Sequence, residues 1–173
     1  DEIKNKANND YLTGLYNRRY LFHIGNKLYE EYKNNDKLFA IAIIDIDNFK
    51  TINDTYGHDI GDISLKEVSK ILNKNITSNA LISRLGGEEF CICFYNRSEK
   101  EILDLLEYIR NDFEVNIIKI ANLELKYTVS IGCSFDFKNN IDEMINDADK
   151  YLYLAKNDGR NRVRSNENRF TQS

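Results

Sequence analysis

Residues 83–94, SRLGGEEFCICF, set two adjacent glycines against two adjacent glutamates inside an otherwise apolar, strand-like run. Glycine weakens a strand, and neighbouring carboxylates repel each other. The apolar runs on either side, ALISRL before Gly86 and EEFCICFY after Gly87, are typical of a β-hairpin whose turn needs positive φ angles. A turn alone does not explain Glu88 and Glu89. A close approach of the backbone to a ligand would account for all four residues.

A second apolar stretch, FAIAIIDID at residues 39–47, is short, rich in isoleucine and apolar at both parities. This pattern favours a central strand that is covered on both faces. Asp45 and Asp47 are two residues apart, so their side chains emerge on the same face near the strand end. A hairpin tip beside this end would gather several carboxylates, which is costly unless a cation neutralises them. For Asp45 and Asp47 taken alone, solvated acids at a strand end are the simpler alternative.

Helical patterns surround these strands. Asn17 can cap a helix whose apolar positions step by three or four, and Ser98 with Glu101 makes a capping box before another helix. The other predicted elements are a helix that begins in GHDIGD (57–62), strands around 117–120 and 125–135, a helix over 142–155 that Gly159 ends, and an edge strand at RNRVR (160–164). Strands mixed with helices, and with at least one hairpin, imply an α+β sandwich and not a purely parallel α/β fold.

The composition bounds the class of protein. A chain of 173 residues with 42% hydrophobic and 30% charged residues suits one compact soluble domain with a real core. The formal net charge of -4, without a long Lys/Arg cluster, disfavours binding to a nucleic-acid polymer. The longest apolar stretches, such as residues 39–44, are far below the roughly 20 residues that a membrane span needs. We therefore expect no direct membrane contact from this segment and a cytoplasmic location, either free or within a larger, membrane-anchored protein.

The cysteines and histidines offer no evident site. Cys91, Cys93 and Cys133 are odd in number and lie in apolar runs without metal-ligand spacing, so we expect reduced, buried thiols. His23 and His58 are far apart in sequence, which gives no support to a zinc site or a Ser-His-Asp triad. Nucleophilic catalysis by a side chain is disfavoured.

Several polar residues suit a phosphorylated purine. Clustered carboxylates select hard ions, Mg²⁺ or Mn²⁺, which in turn bind phosphate oxygens. Lys50 lies just after the strand, while Lys156 and Arg160 flank a helix end, where cations grip phosphates or merely complement the helix dipole. Asn53 and Asp62 flank a turn and a helix start. An amide and a carboxylate there can read the edge of guanine, and helix capping is the equally simple alternative.

Five ordered motifs resemble the GGDEF domain family of diguanylate cyclases, in its GGEEF variant. The motifs are DYLTGLYNRR (10–19), IIDIDNFKTINDTYGHDIGD (43–62), RLGGEEF (84–90), VSIGCS (129–134) and DADKYLYLAKNDGRNRV (147–163). The resemblance implies a palm fold of the nucleotidyl-cyclase type, with a ferredoxin-like core and a mainly antiparallel sheet of about five strands surrounded by helices. It also implies the condensation of two GTP molecules into cyclic di-GMP with release of two pyrophosphates.

The same resemblance assigns roles to residues. It implies metal ligands at Asp45, Glu88 and the carbonyl of Ile46, and it makes Glu89 either a further ligand or a group that helps to deprotonate the attacking 3′-hydroxyl. The implied substrate contacts are the guanine-reading Asn53 and Asp62, the triphosphate-binding cations Lys50, Lys156 and Arg160, the backbone amides of Asn48 and Phe49, and the glycines Gly86 and Gly87, which let the hairpin approach the nucleotide. The implied cofactors are two Mg²⁺ (or Mn²⁺) ions per active site. Because attack comes from the partner's nucleotide, catalysis requires a homodimer.

The resemblance covers residues 10–164, and the polar composition of the two ends completes the predicted domain limits. Residues 1–9 are predicted to be the end of an N-terminal connecting helix, 10–164 the catalytic domain and 165–173 a flexible tail. Since the chain begins at Asp1 and not at Met, sensory or other domains are expected upstream.

One departure from the family pattern concerns product inhibition. Many members carry an Arg-x-x-Asp motif shortly before the glycines, whereas Thr77–Ala80 has neither charge here, so we predict no tight product binding at that place. The alternative function is a catalytically weak or silent regulatory domain that binds GTP or cyclic di-GMP. Such domains usually have eroded signature residues, and those of this chain are intact. A cyclase for adenine-containing products is disfavoured by Asp62, because a carboxylate does not suit the adenine edge.

Overall fold

A computed structural model describes residues 7–166. The elements in this range, in chain order, are α1 (Arg18–Asn34), β1 (Phe39–Ile46), α2 (Phe49–Tyr56), α3 (His58–Asn75), β2 (Ala80–Gly86), β3 (Glu89–Tyr95), α4 (Glu99–Val115), β4 (Ile118–Ile120), β5 (Leu123–Leu125), β6 (Val129–Ser134), α5 (Ile141–Asn157) and β7 (Val163–Ser165). In this same range, no helix combines the length and the apolar character that a membrane crossing needs.

The main sheet has five strands in the order β2-β3-β1-β6-β7. All neighbouring pairs are antiparallel except β6 and β7, which are parallel. The strand β1 is central, and all eight of its residues are buried, as its double-sided apolar pattern predicted. The predicted α+β class with a mainly antiparallel sheet is therefore confirmed.

The two faces of β1 pack on different helices. Ala42 and Ile44 belong to a core formed with α2, α3 and α4, whereas Ile41 and Ile43 belong to a core formed with α1 and α5. Since side chains alternate along a strand, Asp45 shares the face of Ile41 and Ile43. The side chain of Asp45 is thereby directed to the α5 side of the sheet.

The predicted helix starts are confirmed. The side chain of Asn17 accepts a hydrogen bond from the backbone N–H of Tyr20 at 3.0 Å, and that of Ser98 accepts one from Glu101 N–H at 3.1 Å. Each bond satisfies a backbone donor that the first turn of a helix leaves free. The three cysteines are free thiols inside the core, as predicted.

Three details of the fold differ from the sequence-based expectation. The short helix α2 was not predicted; it joins α3 at a corner where Gly57 has a φ of 90°. The strand predicted around 125–135 is confirmed over Val129–Ser134, whereas Leu125 belongs to β5, which among the described residues pairs with β4 and not with β6. In the chain between these two strands, the Tyr127 hydroxyl donates to Ser64 O of α3 at 2.8 Å. The edge strand begins at Val163 and not at Arg160, because residues with positive φ precede it.

The structure bears on the predicted C-terminal limit of the domain. Ser165, placed in the predicted tail, is the last residue of β7 and is buried. Residues 1–6 and 167–173, which hold most of the predicted connecting helix and tail, lie outside the described residues.

Candidate active site

The candidate site forms where the β2–β3 hairpin meets the end of β1. Asp45 pairs with Glu89 across the β1–β3 ladder and with Ser130 across the β1–β6 ladder. The sequence left open whether the hairpin tip and the end of this strand lie side by side. The register of the sheet places them so.

Asp45 is the buried acid of the site. It is 6% exposed, and its Oδ2 accepts an ion-pair contact from Lys156 Nζ at 3.0 Å. Its Oδ1 has no hydrogen-bond partner within the described part of the chain. Burial raises the pKa of Asp45 to about 7; Lys156 opposes this shift, and the neighbouring charge of Glu88 adds to it.

Further charged groups surround Asp45. The pKa of Glu89 is raised chiefly by burial and then by the charges of Asp149 and Asp45, while Lys156 and Arg18 lower it. Burial and the charge of Asp45 likewise raise the pKa of Asp149. Sequence reasoning missed Asp149 and Arg18. For Asp149 there was a usable signal, because it precedes Lys156 by two helical turns and therefore lies on the same face of α5.

The hairpin turn has the predicted glycine conformation. Gly86 and Gly87 have φ angles of 148° and 52°, and a Cβ on either would meet no atom of the described residues within 4 Å. The backbone angle, and not crowding within the domain, is therefore what favours glycine here. Arg84 holds the turn by donating to the Gly87 carbonyl at 2.7 Å, and the same guanidinium pairs with Asp10 at 3.2 Å. The close approach to a ligand stays a prediction.

An anion can be received at the start of α2. Asn48 precedes the helix in the left-handed conformation, with a φ of 57°, and its side chain makes no capping hydrogen bond to the residues that the structure describes. The first amides of a helix then remain available, and the helix dipole favours negative charge there. Phe49 is buried at this helix start, and Lys50, the next residue, is exposed.

The two residues expected to read guanine lie on adjacent helices, Asn53 on α2 and Asp62 on α3. A Cβ on Gly61 would lie only 1.9 Å from Asn53 Oδ1, so the carboxamide of Asn53 packs directly on Gly61. The structure thus brings Asn53 against the residue that precedes Asp62. The capping alternative is wrong for both, because the N-cap positions of these helices are Asn48 and Gly57.

The two aspartates of the β1 end have different environments. Asp47 is 3% exposed and accepts three hydrogen bonds, from Ser130 Oγ at 2.6 Å, Thr128 Oγ1 at 2.7 Å and the backbone N–H of Asn161 at 3.0 Å. Both carboxylate oxygens are therefore already engaged.

Of the predicted phosphate-binding cations, Lys156 contacts Asp45, whereas Arg160 is exposed in the loop after α5.

The oxygen donors around Asp45 fit a hard cation. Among residues 7–166, no three side chains of His, Cys, Asp or Glu form a ready-made metal cluster. The expected ligand set, however, needs only the carboxylates of Asp45 and Glu88 together with the carbonyl of Ile46. A buried carboxylate oxygen without a partner, as Asp45 Oδ1 is among the described residues, is costly unless a cation or a donor meets it.

Near residues 77–80, where the resemblance predicted no product-inhibition site, the structure has a cavity of about 730 Å³. Its lining includes Tyr11, Tyr16, Thr77 and Ala80, and its acid Asp10 is already paired with Arg84. The absence of tight product binding stays a prediction.

A five-stranded, mainly antiparallel sheet with acids at the end of its central strand defines a palm domain of the nucleotidyl-cyclase type. The family described as "Diguanylate cyclase, GGDEF domain" matches residues 7–162. The chain therefore belongs to the GGDEF domain family.

Similar proteins have been sequenced and solved. An uncharacterized membrane protein of Staphylococcus aureus (strain USA300) is 37% identical over 174 residues, which cover 96% of this chain and 48% of that protein. This chain thus spans about half the length of the curated relatives it matches. The coiled coil and GGDEF domain of DgcB from Caulobacter crescentus, in complex with c-di-GMP, superposes with a TM-score of 0.89 at 27% identity, covering 95% of this chain and 88% of that one. The active GGEEF domain of a diguanylate cyclase from Vibrio cholerae gives a TM-score of 0.80 at 32% identity, covering 86% of this chain and 96% of that one.

Proposed function

We propose that this domain is an active diguanylate cyclase that condenses two GTP molecules into cyclic di-GMP and releases two pyrophosphates. The observation that carries the proposal is Asp45, a buried carboxylate with one oxygen that is unpaired among residues 7–166, beside Glu88 and Glu89 at the end of the central strand. Membership of the GGDEF family supports the proposal. The similar GGEEF domain from Vibrio cholerae, which is described as active, supports it as well.

Asp45, Glu88 and the carbonyl of Ile46 would hold Mg²⁺ or Mn²⁺, with two ions per active site. When bound, these ions would lower the pKa of the attacking 3′-hydroxyl and stabilise negative charge on the α-phosphate and the leaving pyrophosphate. Lys156 is paired with Asp45. Its ammonium group would therefore lie beside the acids and could also bind the triphosphate.

Glu89 suits the role of general base. Burial and the charges of Asp149 and Asp45 raise its pKa, which brings its basicity closer to that needed at neutral pH. Its carboxylate can accept the proton of the 3′-hydroxyl. Asp149, which does not need to touch the substrate, supports this role through its charge.

The remaining residues bind and orient GTP. The amides at the start of α2, next to Asn48 and Phe49, would receive phosphate oxygens, together with the cations Lys50 and Arg160. Asn53 and Asp62 would read the guanine edge, because a carboxylate accepts from the N1 and N2 hydrogens of guanine. Gly86 and Gly87 would let the hairpin backbone approach the nucleotide.

The active form is proposed to be a homodimer in which two domains face each other, each with one GTP. A single domain holds one nucleotide, whereas each product needs two attacks between two nucleotides. The full-length protein is proposed to carry further domains upstream and to keep this domain in the cytosol. The S. aureus relatives, which are about twice as long as the match and are described as membrane proteins, support the presence of further segments in the full-length protein.

The decisive experiment incubates the purified domain at high concentration with GTP and Mg²⁺ and separates the nucleotides by chromatography. We expect cyclic di-GMP and pyrophosphate from the wild type. Glu89→Gln should lower turnover by roughly 100-fold or more, because a general base contributes about that much, while GTP binding is retained. Glu30→Gln, at an exposed position of α1, is the matched control and should leave turnover unchanged.

The outcomes separate the two candidate functions. Binding of GTP by the wild type without any conversion would support the silent regulatory domain. Equal turnover by the wild type and by Glu89→Gln would contradict the assigned base.

A further inference from the structure

The loop that carries Arg160, between α5 and β7, has an unusual backbone. Gly159, Arg160 and Asn161 have φ angles of 120°, 64° and 47° in succession. The left-handed region is unfavourable for residues other than glycine, although asparagine tolerates it better than most. Two such residues in sequence persist only when the surrounding structure holds them.

Asp47 holds this loop from the inside. Its Oδ2 accepts the backbone N–H of Asn161 at 3.0 Å, and the same carboxylate is fixed by the hydroxyls of Thr128 and Ser130. Asp47 follows β1 directly and stands two residues beyond Asp45. The position of the loop is therefore tied to the strand that carries the buried acid of the site.

Arg110 holds the loop from the outside. Its Nη1 donates to Asn161 Oδ1 at 2.8 Å, while Glu107 and Glu114 fix the same guanidinium at 2.6 and 2.7 Å. The Arg110 side chain is only 14% exposed. Arg110 belongs to α4, which packs in the opposite helical layer from α5.

We infer that Asp47, Asn161 and Arg110 form a clamp that positions Arg160 toward the triphosphate of bound GTP. In this clamp Arg110 is a positioning residue, which acts on the nucleotide only through the loop. The inference rests on the proposed function, because it takes the ligand of Arg160 to be GTP. It adds a part of α4 to the determinants of substrate affinity.

The affinity test uses a non-hydrolysable α,β-methylene analogue of GTP with Mg²⁺ and isothermal titration calorimetry. Arg110→Ala should weaken binding about 3- to 10-fold, as expected for loss of one charge-assisted hydrogen bond that is partly exposed. Asn161→Gly, which keeps the positive φ favourable but removes the carboxamide, should weaken binding to the same extent. The double variant should bind the analogue no more weakly than either single variant, because both substitutions remove the same hydrogen bond between Arg110 and Asn161.

A second background separates positioning from a general structural role. If Arg110 acts through Arg160, then Arg110→Ala should have no further effect on affinity in the Arg160→Ala protein. An equal loss in both backgrounds would overturn the inference. Lys100→Ala, which removes an exposed ion pair on the same helix, is the control and should leave affinity unchanged.

Hydrogen exchange tests the clamp without nucleotide. Arg110→Ala should speed amide exchange at Asn161 in the free domain, while β1 keeps its protection, because only the loop has lost an anchor. Unchanged exchange at Asn161 would overturn the clamp even if GTP binds. Faster exchange in a domain that binds no GTP would retain the clamp and overturn the proposed function.

Discussion

Asp45 combines near-complete burial with one oxygen that has no partner in the part of the chain that the structure describes, so its charged form is unfavourable there. Its ordinary pKa is 3.8, and burial raises it to about 7 in the fold. Below the ordinary value both the folded and the unfolded chain carry the neutral acid. As the pH rises toward 7, the unfolded chain ionises freely and the folded chain does not, so the free energy of unfolding falls.

The Asp45→Asn variant tests whether the free energy of unfolding falls as the pH rises. Relative to Asp45→Asn, the wild type should lose stability on the order of 2 to 4 kcal/mol between pH 4 and pH 8, because only the wild type must ionise a buried acid. Urea unfolding in the presence of EDTA at several pH values measures the difference. Asp104→Asn, at an exposed position of α4, is the control, and its free energy of unfolding should change with pH as that of the wild type does. Parallel profiles for wild type and Asp45→Asn would contradict the environment assigned to Asp45.

Residues that the sequence could identify were those whose role depends on near neighbours in the chain. Gly86 and Gly87 predicted a turn with positive φ, and the structure has it, since a glycine pair is required there by local backbone geometry. Arg18 was missed, because its closeness to Glu89 arises only when α1 packs on the sheet. No short stretch of sequence contains that contact.

The corner between α2 and α3 is an element whose packing serves the site. Asn53 on α2 packs on Gly61 of α3, where a Cβ would come within 1.9 Å of its Oδ1. The obstructing atom is the end of a flexible side chain, so the corner can yield by rotating Asn53. The cost of a larger residue would therefore fall on the position of Asn53.

We expect Gly61→Ala to fold with little loss of stability and to bind GTP at least several-fold more weakly, since Asn53 must leave its place. Titration with the non-hydrolysable GTP analogue, together with a thermal unfolding curve, measures both effects. If the variant bound GTP like the wild type, the assigned guanine contact of Asn53 would be wrong.

Gly132→Ala, unlike Gly61→Ala, should lower the stability of the fold, because Gly132 lies where β6 contacts α5. A Cβ on Gly132 would lie 2.1 Å from Ala148 O and 2.2 Å from Leu152 N, which are backbone atoms of α5 and cannot rotate away. The helix would have to move off β6, at a cost of about 1 to 3 kcal/mol. A thermal unfolding curve should therefore show a clear loss of stability for Gly132→Ala. An unchanged unfolding midpoint would contradict this close packing of α5 on the sheet.

The helices and strands with strong periodicity were predictable, and the short ones were not. The helices α1 and α4 were found from their apolar stripes and cap residues, and α5 from its apolar stripe and the glycine that follows it. The eight-residue α2 has only Phe49 and Ile52 buried, too few positions to reveal a period. The break between β5 and β6 was not predicted either; there the Tyr127 hydroxyl donates to Ser64 O, a contact between residues far apart in the chain.

At the scale of the whole molecule, the acids of the candidate site lie at one end of the main sheet, on the side that α5 covers. The pairing of Asp45 with Glu89 and Ser130 puts the candidate site at the end of β1, and the α5 layer supplies Lys156. One such site, as proposed, holds one nucleotide and one set of acids. A cyclic product with two phosphodiester bonds then requires two sites that face each other.

Mixing active and inactive domains tests this requirement. A trace of wild type in excess Glu89→Gln domain would form pairs with a single competent base, and such a pair can make only one of the two bonds. We expect a linear dinucleotide with one pyrophosphate released to accumulate at the expense of cyclic di-GMP, as followed by chromatography. Excess Lys100→Ala domain, which keeps its own base, should instead raise the yield of cyclic product.

Dilution gives an independent measure of the same pairing. If two domains are needed, the specific activity of the wild type should fall with protein concentration below the dissociation constant of the dimer, since the fraction of paired domains falls by mass action. Added Lys100→Ala domain should restore the specific activity of diluted wild type beyond its own contribution. Constant specific activity over a wide dilution, with no linear dinucleotide in the mixture, would mean that one domain carries both attacks, and the two-site arrangement would have to be abandoned.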